Sequence, residues 1–235
     1  MTYLEVIGNI EKKLSGLGVS IPIGSRYDQA TKAMHKGWIV KQSPDFPAAK
    51  EGFRDLLLLD FILHNLPRDV SHSELTMRLN RMLKDPIDPI LNKNDTPGRN
   101  LEHEMYIAAV CQAAGLKPRF AEPDVIATHI GQDIGFAAKR MRNWRQFEKH
   151  CRKASKQIQK TQIPGWIVCE MTHAFQPDNS LIPIEVTDEQ LDNDFKQKRI
   201  EFIGSHIKKF DEWFRDSDVR AIVTIEHFIN SESSR

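Results

Sequence analysis

Apolar residues recur near the start of the chain at Leu4, Ile7, Ile10, Leu14 and Leu17, the three- and four-residue steps that lay one apolar stripe along a helix. Gly18 is placed to end that helix. A loop carrying Pro22 and Gly24 follows, then a short apolar patch at Trp38, Ile39 and Val40. From Phe53 to Leu63 the pattern is apolar around most of a helix's girth, which predicts a helix at the centre of an N-terminal helical lobe. Pro86, Pro89 and Pro97, with Asn92, Asn94, Asp95 and Gly98 among them, interrupt the periodicity and mark a boundary. The expected division is a helical lobe over residues 1–95 and a second domain over 96–235.

The second domain opens on Leu101–Gly115, where Leu101, Met105, Ala108, Cys111 and Ala114 share one helical face and Gly115 is the stop. Glu104 stands at the border of that face, with Glu102 expected to turn further toward solvent. Two β-branched, alternating segments follow, Pro123–Ile130 and Asp133–Lys139, separated by Gly131 and Gln132, and they read as a β-hairpin. Side chains alternate along a strand, so Asp124, Ile126 and Thr128 share one side, as do Gly135, Ala137 and Lys139. In an antiparallel pair the start of the first strand lies beside the end of the second, so Asp124 and Lys139 should meet. Gly165–Glu170 and Val219–Ile225 read as further strands. Leu191, Phe195, Phe202, Ile203, Ile207, Phe210 and Phe214 predict a long helix or a pair of helices between them. Helices alternating with strands predict a mixed α/β domain.

Glu104, then Pro123-Asp124, then Ala137-Ala138-Lys139-Arg140 is an order that resembles the PD-(D/E)xK nuclease superfamily. The resemblance extends through Gln157 and the strand at Gly165–Glu170 and covers roughly the C-terminal half to three fifths of the chain, the scale of one domain. It implies a restriction-endonuclease-like mixed sheet core flanked by helices. It also implies a metal-dependent DNA endonuclease or phosphodiesterase, with Asp124 and Glu104 holding Mg²⁺ or Mn²⁺ and Lys139 assisting the attacking water. Gln157 stands where some relatives carry a polar helper.

One position departs from the family pattern. Where the second strand of the family carries an acid two residues before the Lys, this chain has Ala137. Asp133 lies on the right face but too far along the strand at ~3.3 Å per residue. Glu170 on the next strand is the better replacement, and Glu148 a third. The departure motivates an alternative, a nuclease-fold module that has lost its chemistry and binds DNA or a protein partner.

The formal net charge is only +1, so attraction to a polyanion must come from local clustering. Such a cluster exists: Lys139, Arg140, Arg142, Arg145, Lys149, Arg152, Lys153, Lys156 and Lys160 stand against the single acid Glu148. Trp144, Phe147, Cys151, Ala154 and Ile158 fall at helical spacing within it, which predicts a basic helix with one face on the sheet. Arg140, Arg142, Arg145, Lys149 and Arg152 are the candidate phosphate contacts.

The remaining chemistry is sparse. Cys111, Cys151 and Cys169 stand singly within expected core faces and read as reduced thiols of a cytoplasmic protein. Nine His residues form neither HExxH nor a close Cys/His cluster, so no zinc site is expected. The start of the chain lacks a basic region followed by an apolar one, and the apolar run Leu56–Leu59 is cut by Asp60, so neither a signal peptide nor a membrane partner is expected. The helical lobe is the expected surface for a second copy or a protein partner.

Overall fold

A computed structural model describes residues 3–35, 46–85, 97–175 and 188–227. The apolar patch at Trp38–Val40, the prolines at 86 and 89 with Asn92, Asn94 and Asp95, and the loop at 177–180 lie outside the described residues. The chain is α/β: helices surround a five-stranded mixed sheet.

Four helices build the N-terminal region: α1 (Tyr3–Gly16), α2 (Arg26–His35), α3 (Phe46–His64) and α4 (His72–Met82). Val6, Ile7, Ile10 and Leu14 of α1 pack with Leu56, Leu59 and Ile62 of α3 and Leu79 and Met82 of α4. Ser71 caps α4 by accepting the Glu74 N–H, which satisfies one otherwise unpaired amide of its first turn. Helix α5 (Pro97–Ala113) starts on a proline, whose missing N–H is harmless in a first turn. It belongs to both regions. Leu101, Met105 and Ala109 enter the helical core, while Ile107, Ala108 and Cys111 pack on the sheet.

The sheet runs β1 (Lys117–Ala121), β2 (Asp124–His129), β3 (Gln132–Arg140), β4 (Gly165–Glu170) and β5 (Val219–Ile225), in that spatial order. The first three strands are antiparallel and the last three parallel. The hairpin turn places Ile130 and Gly131 at φ +47° and +77°, the left-handed pair that matches the twist of adjoining strands. β1 has no counterpart in the sequence reading. It is an edge strand, the one place in a sheet where Pro118 costs little.

Alternation divides the sheet into two layers. Ala137, Ile167, Cys169 and Met171 face helix α6 (Phe147–Thr161), burying Phe147, Cys151, Ala154 and Ile158. Phe136, Val168, Val125 and Ala127 face α5. A four-residue α7 (Thr172–Phe175) follows β4, and α8 (Asp188–Phe214), one continuous helix, lays Phe202, Phe210 and Trp213 against Phe147. Trp144, expected among the buried residues of α6, sits instead in a 3-10 turn ahead of it and is exposed. The turn sets Trp144 off the face that the α-helical spacing would give it.

Candidate functional site

The hairpin register fixes the central contact. Val125 pairs with Phe136, so one step further Asp124 faces the end of β3. Its Oδ2 accepts from Lys139 Nζ at 2.8 Å and from the Ala138 backbone N–H at 2.8 Å. Lys139 Nζ also donates to Ala138 O at 2.7 Å. Gln157 comes from α6 and donates through Nε2 to Pro123 O at 2.8 Å, with a longer approach of 3.5 Å to Asp124 Oδ1. Its Oε1 is buried and has no hydrogen-bond partner among the described residues. A buried amide oxygen without a partner carries a real desolvation cost, which a ligand or a water on a bound ion would relieve.

Gly135 helps to set Asp124 in place. A Cβ there would come within 3.1 Å of Pro123 Cγ and Cδ, so glycine is what lets Pro123 lie flat on β3 just ahead of Asp124.

Glu104 approaches from α5. It accepts from Arg78 of α4 at 3.3 Å, and Arg78 lies over the Phe120 ring with its guanidinium carbon 3.8 Å from the centroid. Burial pushes the Glu104 carboxyl up, the Asp124 charge adds to this, and Arg78 and Lys139 oppose it. Asp124 is also raised, chiefly by burial, which outweighs the lowering by Lys139 and the Ala138 N–H. The Asp124 charge thus disfavours ionisation of Glu104, and at Asp124 the neighbouring Glu122 adds to burial. Arg78 was not foreseen in the sequence, since nothing local marks an Arg on a distant helix as the partner of Glu104.

Glu102 is not turned toward solvent. It is buried at the junction of α2, α3 and α5, where it accepts from Arg26 Nη1 at 2.9 Å and from the Tyr27 hydroxyl at 2.6 Å. Arg26 also reaches Asp55 at 3.1 Å, and Arg99 reaches Asp55 at 3.2 Å. The Arg cluster holds the Asp55 carboxyl down at about 2 despite its burial.

Glu170 does not replace the missing acid. It lies opposite Arg140 in the register and faces the α5 layer, the other side of the sheet from Ala137 and Lys139. There Oε2 accepts from Arg140 Nε at 3.0 Å and Oε1 from the Thr172 N–H at 2.9 Å, and Arg140, His173 and Arg54 keep its carboxyl far below the usual range. Glu148, the third alternative, is ion-paired to Arg152. Glu170 and Arg140, with Arg54, Asp55, Arg99 and His103, border a cavity of about 20 Å³, room for about one water. His103 donates to Val168 O at 3.1 Å, and burial drives its pKa down to about 4, so the ring is neutral.

The basic candidates divide in the same way. Arg145 in the 3-10 turn and Lys149 on α6 are exposed and border a shallow groove with Glu148, Arg152, Lys153 and Lys156. Arg140 is withdrawn into its buried pair with Glu170, its side chain only 8% exposed. Arg152 is turned to α8, paired with Glu148 at 3.0 Å and Glu212 at 2.7 Å. Arg142 is half-buried just ahead of α6. Of the expected set, Arg145 and Lys149 stay exposed on this groove, Arg152 borders it in its ion pairs, and Lys153 and Lys156 join them.

Among the described residues no three His, Cys, Asp or Glu gather as a ready-made metal cluster. The oxygen set Asp124, Glu104 and Gln157 Oε1 nevertheless suits Mg²⁺, which commonly takes one or two carboxylates and completes its shell with water and phosphate oxygen. The three cysteines are buried and free, but not all solitary. Cys151 and Cys169 touch across the α6–β4 contact, and that contact together with burial pushes the Cys169 thiol well up. Among the described residues no helix is long and apolar enough to cross a membrane. Comparison with protein-family models, with curated proteins and with solved structures finds no match.

Proposed function

We propose that the chain is a metal-dependent nuclease of restriction-endonuclease-like fold, hydrolysing phosphodiester bonds of DNA at the Asp124–Lys139–Gln157 cluster. The carrying observation is that a strand-start Asp, a strand-end Lys and a helix Gln converge on one carboxylate, with Glu104 coupled to it through charge. A mixed sheet with helices packed on it supports the same reading, because the resemblance implies a mixed sheet core flanked by helices.

Mg²⁺ or Mn²⁺ held by Asp124 and Glu104, with Gln157 Oε1 on its water shell, would supply charge neutralisation and a more acidic water. The remaining work falls to this chain's own groups. Attack of water on phosphorus makes one P–O bond and breaks another, and negative charge grows on the non-bridging and leaving oxygens. Lys139 can exchange its bond to Ala138 O for one of these oxygens while Asp124 keeps it oriented. Gln157 ties α6 to the Pro123–Asp124 step, so the helix that carries Lys149, Lys153 and Lys156 is registered to the reacting centre.

Plasmid and single-stranded DNA incubated with the protein and Mg²⁺ or Mn²⁺ should be cut, and Asp124→Ala and Lys139→Ala should each lose about 10²-fold or more. No cleavage in either metal, or full cleavage by both variants, removes the proposal. Ala137 favours a second reading, a DNA-binding module without turnover. That reading requires duplex binding that weakens steeply with salt and depends on Lys149 and Lys153, with no product under any metal.

A further inference from the structure

Helix α8 shows two faces. Phe202, His206, Phe210 and Trp213 pack inward on Phe147 of α6. About a quarter turn away, Ile200, Ile203 and Ile207 stand 55%, 36% and 58% exposed. At 3.6 residues per turn, Lys196, Ile200, Ile203, Ile207 and Asp211 fall within about 80° of arc, a single ridge with a cation at one end and an anion at the other. Lys196 and Asp211 are both exposed.

The ridge is symmetric about its own centre. The pairs 196 and 211, 200 and 207, and 203 and 204 share one midpoint. A second copy of the helix laid antiparallel over that midpoint sets Ile200 against the partner's Ile207, and Ile203 over the partner's Gly204. Lys196 then meets the partner's Asp211 at both ends, about 22 Å apart. Gly204 adds a separate argument. It lies inside a helix, where glycine costs about 1 kcal/mol relative to alanine, yet among the described residues a Cβ there would meet nothing within 4 Å. Close approach of a second helix backbone is a use for it that the described residues of one copy do not provide.

We infer that α8 is a self-association surface, through which two copies of the chain pair antiparallel about a two-fold axis between residues 203 and 204. Such a contact is self-complementary, as a closed two-fold dimer requires. It is also small, so the dimer is a weak one. It differs from the expected use of the N-terminal lobe and does not depend on the nuclease reading.

Sedimentation of the full chain across about 10–500 µM should show the average mass rising from monomer toward dimer, the range in which an interface below standard size dissociates. Ile207→Glu, exposed and foldable by circular dichroism, should stay monomeric throughout. Lys196→Glu and Asp211→Lys alone each create two like-charge contacts and should weaken the dimer about 5- to 30-fold, whereas mixing the two variants creates two attractive ones and should restore it. A wild type that is monomeric at every concentration overturns the inference. So does a dimer that ignores Ile207→Glu, or a mixture no tighter than its separate components.

Discussion

Lys139→Met tests the centre of the site without touching its outline, because methionine retains most of the volume of the lysine stem. Lys139 and Asp124 have side chains 8% and 18% exposed and are joined at 2.8 Å. Removing one partner of a buried pair costs about 3–5 kcal/mol when the other charge is stranded. Asp124 is not wholly stranded, since it can take up a proton. For an ordinary carboxyl that costs about 4 kcal/mol at pH 7, and the upward displacement already present at Asp124 lowers this ceiling. The Ala138 N–H also remains as a donor. The expected loss is therefore about 2–3 kcal/mol at pH 7.

The sign of its pH dependence follows from linkage. A carboxyl with a raised pKa in the fold holds its proton more tightly there than in the unfolded chain. Its contribution favours the fold below the unfolded pKa and disappears as pH rises through the folded one. Lys139→Met takes away a charge and a hydrogen bond that lower the Asp124 pKa, so the displacement grows. The deficit should be largest at pH 7 and shrink as pH falls toward about 4. Urea unfolding of both proteins at several pH values measures it, and Asp124→Asn/Lys139→Met should recover most of the loss. A deficit that stays constant with pH, or one under about 0.5 kcal/mol, refutes the reasoning.

Other consequences can be checked separately. Burial lowers His103 to about 4 and His173 to about 3, so the unfolded chain binds more protons below about 6.5 and stability should fall by a few kcal/mol between pH 6.5 and 4. His103→Gln should flatten that slope in urea titrations, and an unchanged slope would exclude His103 as a cause. A Cβ on Gly165 would come within 2.8 Å of Cγ1 of the fully buried Ile158, so Gly165→Ala should cost about 1–3 kcal/mol in thermal unfolding, with part recovered by Ile158→Val. Arg78→Leu removes a cation that opposes burial at Glu104, so the Glu104 carboxyl should titrate at higher pH by carbon NMR; no movement would sever that link.

Local pattern carried much of this architecture. The stripes of α1, α3 and α5, the hairpin of β2 and β3, and the strands β4 and β5 follow from periodicity and turn chemistry alone. Asp124 meeting Lys139 needed only antiparallel geometry. What escaped depends on partners distant in sequence. Glu102 reads as a surface acid until Arg26 and Tyr27, about 75 residues upstream, are known to reach it. Arg152 reads as a free cation until Glu212 arrives from α8. β1 hides behind Pro118 because an edge strand tolerates what an inner strand cannot.

The division between Lys139 and Arg140 shows how little separates a group of the candidate site from a structural one. They are adjacent, both basic, and both at the end of β3, yet alternation sends them to opposite layers. Lys139 lies beside Cys169 and joins Asp124; Arg140 lies beside Glu170 and faces the α5 layer with Arg54 and Asp55. The same parity decides what can stand in for the acid absent at Ala137. A replacement must project into the α6 layer, and on β4 the residues that do so are Ile167 and Cys169, both apolar and fully buried. The neighbouring strand therefore offers no carboxylate to the site. If the proposed chemistry operates, it does so on the two acids that come from outside this pair of strands, Asp124 of β2 and Glu104 of α5, with Gln157 as the neutral third oxygen.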